Sequence, residues 1–138
     1  MADVSLEDAR RVLSAQPFSR LVGAVLEQFG PDRVVLRVPI ADDLLQHHGY
    51  VHGGVVSYAA DSALTFAGGL ALGSDILTGG IEVSYLRPMQ HGDIVAEAWV
   101  DETSGRTASC RCDLYEVTGD GVRTLCATAS GTIVTRRR

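Results

Sequence analysis

His48-Gly49-Tyr50-Val51-His52-Gly53-Gly54 runs directly into Val55–Leu72, whose residues are Val-Val-Ser-Tyr-Ala-Ala-Asp-Ser-Ala-Leu-Thr-Phe-Ala-Gly-Gly-Leu-Ala-Leu. The second piece predicts a helix that is apolar on nearly every side, and such a helix belongs at the centre of a fold. Ala59, Ala60, Ala63, Ala67 and Gly68 are small enough to let other backbone pack close. The single charge is Asp61, and a carboxylate in apolar surroundings is costly unless it is paired or put to use. The stretch is almost long enough to span a bilayer. Asp61 sits centrally, however, and the flanks are not basic, so a buried core helix and no membrane partner are expected.

Outward from this helix the pattern changes period. Ahead of it, Ser5-Leu6-Glu7-Asp8 has the composition of a helix start, and a helix over Leu6–Ala15 should end before Pro17. Strands are expected over Leu21–Phe29 and Arg33–Ile40, parted by the turn Gly30-Pro31-Asp32, with a short helical turn over Ala41–Gln46. Behind it lie four strand-like runs, Thr78–Arg87, Ile94–Asp101, Thr107–Val117 and Val122–Thr135, expected as a four-strand antiparallel meander. Ile81, Val83 and Tyr85 fall on one face of the first. Cys110 and Cys112 share a face of the third and read as small core residues. One apolar helix against one curled antiparallel sheet buries both on a single interface. The class is α+β, one domain over residues 1–138, with residues 1–20 as an N-terminal helical extension.

Composition narrows the function. The 138 residues carry 12 Lys+Arg against 17 Asp+Glu, a net charge of −5, which disfavours a nucleic-acid surface. The basic run Arg136-Arg137-Arg138 reads as a solvated chain end. Three cysteines leave an odd thiol in any pairing scheme, and the first residues lack a basic start followed by an apolar core. No leader is expected, and a reducing, cytoplasmic location is.

His52-Gly53-Gly54 followed by Asp61, then Gly80-Ile-Glu-Val-Ser-Tyr-Leu-Arg-Pro88 and the turns Gly92-Asp93 and Ser104-Gly105-Arg106, resemble the PaaI-like acyl-CoA thioesterases. The resemblance runs from about Leu21 to the end of the chain. It implies the hotdog fold, a long central helix wrapped by a curled antiparallel β-sheet. It also implies hydrolysis of an acyl-CoA with an aromatic or medium-length acyl group, without a cofactor.

The residues themselves suit that chemistry. Thioester hydrolysis needs a donor for the developing oxyanion and a base or nucleophile. Gly53 and Gly54 fall where the central helix begins, and the first N–H groups of a helix lack internal partners. The Gly53 N–H is therefore the candidate oxyanion donor, with Gly54 beside it. The resemblance makes Asp61 the general base or nucleophile. Thr65, one turn on, could orient the carboxylate or could bond back to the helix backbone. The resemblance places Gln46 where the family carries an Asn or Gln that binds the attacking water or the carbonyl. In the family Asn tends to accompany Asp, and Gln to accompany Glu. Here Gln46 accompanies Asp61, so base and nucleophile both stay open.

His52 reads as an orienting residue rather than a base, and His47 and His48 as loop residues at the site mouth. A zinc site from the three would need an Asp or Cys at matching geometry, so no metal is expected. Thr78 could face the site, and Arg87, Arg106 and Arg111 are candidates for the phosphates of coenzyme A. At about 1.5 Å per residue, Gly53 and Asp61 stand roughly 12 Å apart along one helix, too far to act on one carbonyl. Two antiparallel copies across a two-fold axis remove that conflict, which predicts an obligate homodimer with shared sites. The resemblance implies that such pairs often assemble into a homotetramer. The alternatives are a non-catalytic acyl-CoA-binding hotdog module and a hotdog dehydratase, for which no partner His follows Asp61 at a suitable spacing.

Overall fold

The computed structural model describes residues 4–136. Arg137 and Arg138 of the basic tail, and the first three residues on which the leader reading partly rests, lie outside the described residues. The chain opens with α1 (Leu6–Ser14), held by a capping box in which Ser5 and Asp8 each accept from the other's backbone N–H. A second short helix, α2 (Pro17–Val22), follows at once. This corrects the expected strand from Leu21: β1 is only Val25–Phe29. The first helix does end before Pro17, as expected. Pro17 itself occupies the start of α2, where a missing N–H costs no hydrogen bond, and Gly23 closes that helix at φ 86.

β2 (Val34–Pro39), a 3₁₀ turn at Asp42–Leu44 and α3 (Gly53–Leu72) come next, then β3 (Ile76–Tyr85), β4 (Asp93–Ser104), β5 (Thr107–Val117) and β6 (Arg123–Thr135). The six strands form one antiparallel sheet in the order β1-β2-β4-β5-β6-β3, curled around α3. This is the hotdog architecture. The expected four-strand meander is a three-strand one, β4-β5-β6, with β3 paired to the far side of β6. Pro88 and the buried Met89 carry the chain over the start of α3, where Met89 O accepts from Val51 N–H, instead of into a hairpin.

Small residues set the distance between helix and sheet. Ala59, Ala60, Ala63, Leu64 and Ala67 are fully buried. A Cβ on Gly68 would lie 2.6 Å from Ile133 Cβ, so only glycine fits there. The sheet's inner face supplies Leu36, Val38, Ile94, Ala96, Cys110, Cys112, Leu114 and Ile133, all but removed from solvent. Burial pushes the Cys110 thiol up from 9.0 to about 11 and that of Cys112 higher still. The helix is not apolar all round. Ser57, Asp61, Ser62 and Thr65 form a half-buried polar strip, of which Ser57, Asp61 and Thr65 meet the edge strand β3. β3 is an edge strand, with Leu77 and Tyr85 each 55% exposed and no strand on its outer side among the described residues.

Candidate active site

The start of α3 is held by its own side chains. His52 is the N-cap, at φ −58 and ψ 133, and its Nδ1 accepts from the Gly54 N–H at 2.8 Å. The neutral ring therefore carries its proton on Nε2. That bond occupies the Gly54 N–H. The Gly53 N–H, by contrast, donates to no group among the described residues. Tyr85 Oη donates to Gly53 O at 2.9 Å and lies 2.6 Å from Ser57 Oγ. Its one proton is spent on the carbonyl, so Ser57 is the donor in the second contact. Tyr85 thus ties the end of β3 to the first turn of α3.

A second cluster sits two turns along the helix. Thr78 Oγ1 donates to Asp61 Oδ1 at 2.7 Å. Thr65 Oγ1 donates to the Asp61 backbone carbonyl at 2.8 Å and stands 3.0 Å from Thr78 Oγ1 and 3.4 Å from Asp61 Oδ1. Both expectations for Thr65 thus have a counterpart: it is bonded back to the helix, within reach of the carboxylate. Thr78 is aimed by a bulge, because the β3–β6 register slips between Thr78 and Gly80. Asp61 Oδ2 accepts no hydrogen bond among the described residues, and Asp61 lines a cavity of about 290 Å³.

Gln46 is half-buried in the preceding loop, and its Oε1 accepts from the His48 N–H. With that oxygen engaged, the side chain offers only its NH₂ group as a donor. His47 and His48 are exposed and stack on one another, ring centroids 4.1 Å apart. Arg87 is exposed, donates to Leu125 O at 3.0 Å, and lines a second cavity of about 320 Å³ together with Gly53 and Tyr85. Arg106 sits in the β4–β5 turn and lines neither cavity. Arg111 lies 3.9 Å from Asp101 and lines neither of the two cavities either.

The structure therefore brings Asp61, Thr65 and Thr78 together, and separately His52, Gly53 and Gly54. Asp61 and Thr65 line the first cavity and Gly53 the second. Sequence reasoning missed the role of Tyr85 in holding the helix start. The available signal was a tyrosine at the end of the strand that leads back to that start.

A sequence profile of the thioesterase superfamily matches residues 48–123, from the glycine loop through Tyr85 to the start of β6. The chain belongs to the thioesterase superfamily. As a member of it, the protein is a thioester hydrolase. A Haemophilus influenzae protein with a predicted esterase role is 30% identical over 96 residues, 68% of this chain and 69% of its own length. A solved thioesterase family protein from Silicibacter pomeroyi superposes with a TM-score of 0.85 at 27% identity, over 94% of this chain and 97% of that one. The Escherichia coli PaaI protein of the phenylacetic acid degradation operon shares the fold at a TM-score of 0.79 and 16% identity, over 95% and 92% of the two chains. The thioesterase match includes Gly53, Asp61, Thr65 and Thr78, whereas Gln46 falls just outside it.

Proposed function

We propose that this thioesterase hydrolyses an acyl-CoA at a site made by two copies of the chain, Asp61 from one and Gly53 from the other. The observation that carries this is the division of the machinery. The free carboxylate oxygen and the free helix-start amide belong to one helix but line different cavities, eight residues and about 12 Å apart. The open edge of β3, with Leu77, Ile81 and Tyr85 exposed, supports a second copy as the partner. Pairing along β3 would set the two α3 helices antiparallel and bring each Asp61 toward Gly53 of the partner subunit.

In that arrangement the thioester oxygen takes the N–H of Gly53 of the partner subunit as negative charge develops on it. Asp61 takes a proton from a water that attacks the carbonyl carbon, or attacks that carbon itself to give an acyl-aspartyl anhydride that water then hydrolyses. Thr78 holds Oδ1, which leaves Oδ2 to act. The C–S bond breaks, the departing thiolate takes up the proton lost by the water, and the products are the free acid and coenzyme A. The NH₂ group of Gln46 is suited to donating to the carbonyl, and Arg87 to a phosphate of coenzyme A. Three buried free thiols support a reducing cytoplasm as the working compartment. The test is release of free coenzyme A from a panel of acyl-CoAs. Asp61→Asn should reduce kcat by about 10³-fold or more while the protein stays folded. Tight acyl-CoA binding with no turnover by the native protein would instead identify a binding module.

A further inference from the structure

The cavity beside Asp61 is longer than hydrolysis alone requires. Its floor is one face of α3, running from Asp61 and Thr65 to Gly69 and on to Gly73 at the helix end. Phe29 and Phe66 meet edge to face along it, ring centroids 6.2 Å apart. Its roof is the N-terminal extension, through Ala9 and Val12 of α1. The reactive carboxylate is joined by a mostly apolar lining that Gln16, Ser62 and Ser74 interrupt. Val12 is 49% exposed although it lines the cavity, so it is a surface-accessible lid residue rather than part of the sealed core.

We propose that this groove takes the acyl group as an extended straight chain of about eight to ten carbons, with Gly69 and Val12 setting the length. The proposal rests on the reading of Asp61 as the reacting carboxylate. The rise of the helix sets the length. From Asp61 to Gly69 the helix rises about 12 Å. An extended chain advances roughly 1.2 Å per bond, as in a peptide that spans about 3.6 Å over three backbone bonds, so about ten bonds fit. A single aromatic ring would leave the Gly69 end empty. A side chain on Gly69 would enter that end: its Cβ would meet Ile76 Cδ1 at 3.6 Å, an ordinary contact, so the position has room.

The experiment measures kcat/KM for straight-chain acyl-CoAs from two to sixteen carbons, together with benzoyl- and phenylacetyl-CoA. Non-hydrolysable thioether analogues of the same lengths are titrated by calorimetry in parallel. For the native protein kcat/KM should rise about fourfold per added methylene and turn over near eight to ten carbons, above both aromatic substrates. Gly69→Leu and, should that variant fold poorly, Val12→Trp on the exposed lid should lower the decanoyl-to-butyryl ratio at least tenfold. Analogue affinities that follow chain length and shorten in these variants, without any hydrolysis, would support the groove while removing the enzymatic reading. Hydrolysis with a flat length profile, a preference for the aromatic substrates, or an unchanged ratio in both variants would overturn the groove and leave the enzyme standing.

Discussion

Replacing Gly53 with proline deletes one hydrogen-bond donor and almost nothing else. Gly53 is the first residue of α3, where proline is favoured because the N–H there has no helical acceptor. The residue before a proline must be extended, and His52 already is, at φ −58 and ψ 133. A Cβ at position 53 would meet Tyr85 Oη at 3.6 Å, an ordinary contact, and the ring's Cδ takes the place of the amide hydrogen. Gly53→Pro should therefore keep its thermal midpoint or raise it, by the 0.4–1 kcal/mol or so that a compatible proline removes from the unfolded chain's entropy. Its kcat/KM should nevertheless fall by about 10²–10³-fold, the usual cost of losing one oxyanion donor, about 3–4 kcal/mol. Gly53→Ala keeps the N–H and is the control. The assay is steady-state acyl-CoA hydrolysis beside a thermal melt of each variant. A folded Gly53→Pro protein with native kcat/KM would refute the assignment of the oxyanion donor to this amide.

Thr78→Val should reduce kcat about tenfold or more with little change in fold, since it removes the 2.7 Å bond that holds Asp61 Oδ1; activity matching the native protein would deny Thr78 a positioning role. Gly68→Ala should destabilise by about 1–3 kcal/mol, because three atoms of the Ile133 side chain lie within 2.8 Å of the new methyl; urea unfolding measures it, and a rise in stability would contradict the packing of α3 on β6. Burial raises the Cys110 thiol from 9.0 to about 11, so its contribution to stability is intact below pH 9 and is lost as pH rises toward 11, where only the unfolded chain ionises. Urea midpoints between pH 8 and 10.5 should fall more steeply for the native protein than for Cys110→Ala.

The core of the fold could be read because its signals are local. The apolar run Val55–Leu72 and the alternation through β4 and β5 mark a helix and strands whatever surrounds them. Pro17 was ambiguous: the same residue closes one helix or opens another, and the packing of Ser19 against Tyr58, with Oγ accepting at 2.6 Å, belongs to the tertiary fold. The place of β3 beside β6 was hidden for the same reason, since chain order alone suggests a hairpin with β4. In the site, Asp61 and Gly53 stood out as a lone charge and a helix start. Tyr85, the bulge that aims Thr78 and the groove lined by Phe29, Phe66 and Val12 arise from contacts between distant segments.

Whether two chains share each site is decided by mixing two inactive proteins. Asp61→Asn and Gly53→Pro each disable both sites of their own homodimer. In a heterodimer of the two, one site collects both lesions and the other collects none. Co-refolding equal amounts should restore about a quarter of native activity, because about half the dimers are mixed and each has one intact site. Recovery of that size is the result expected here. Full formation of the heterodimer with no recovered hydrolysis would contradict a shared site and place Gly53 and Asp61 in separate roles.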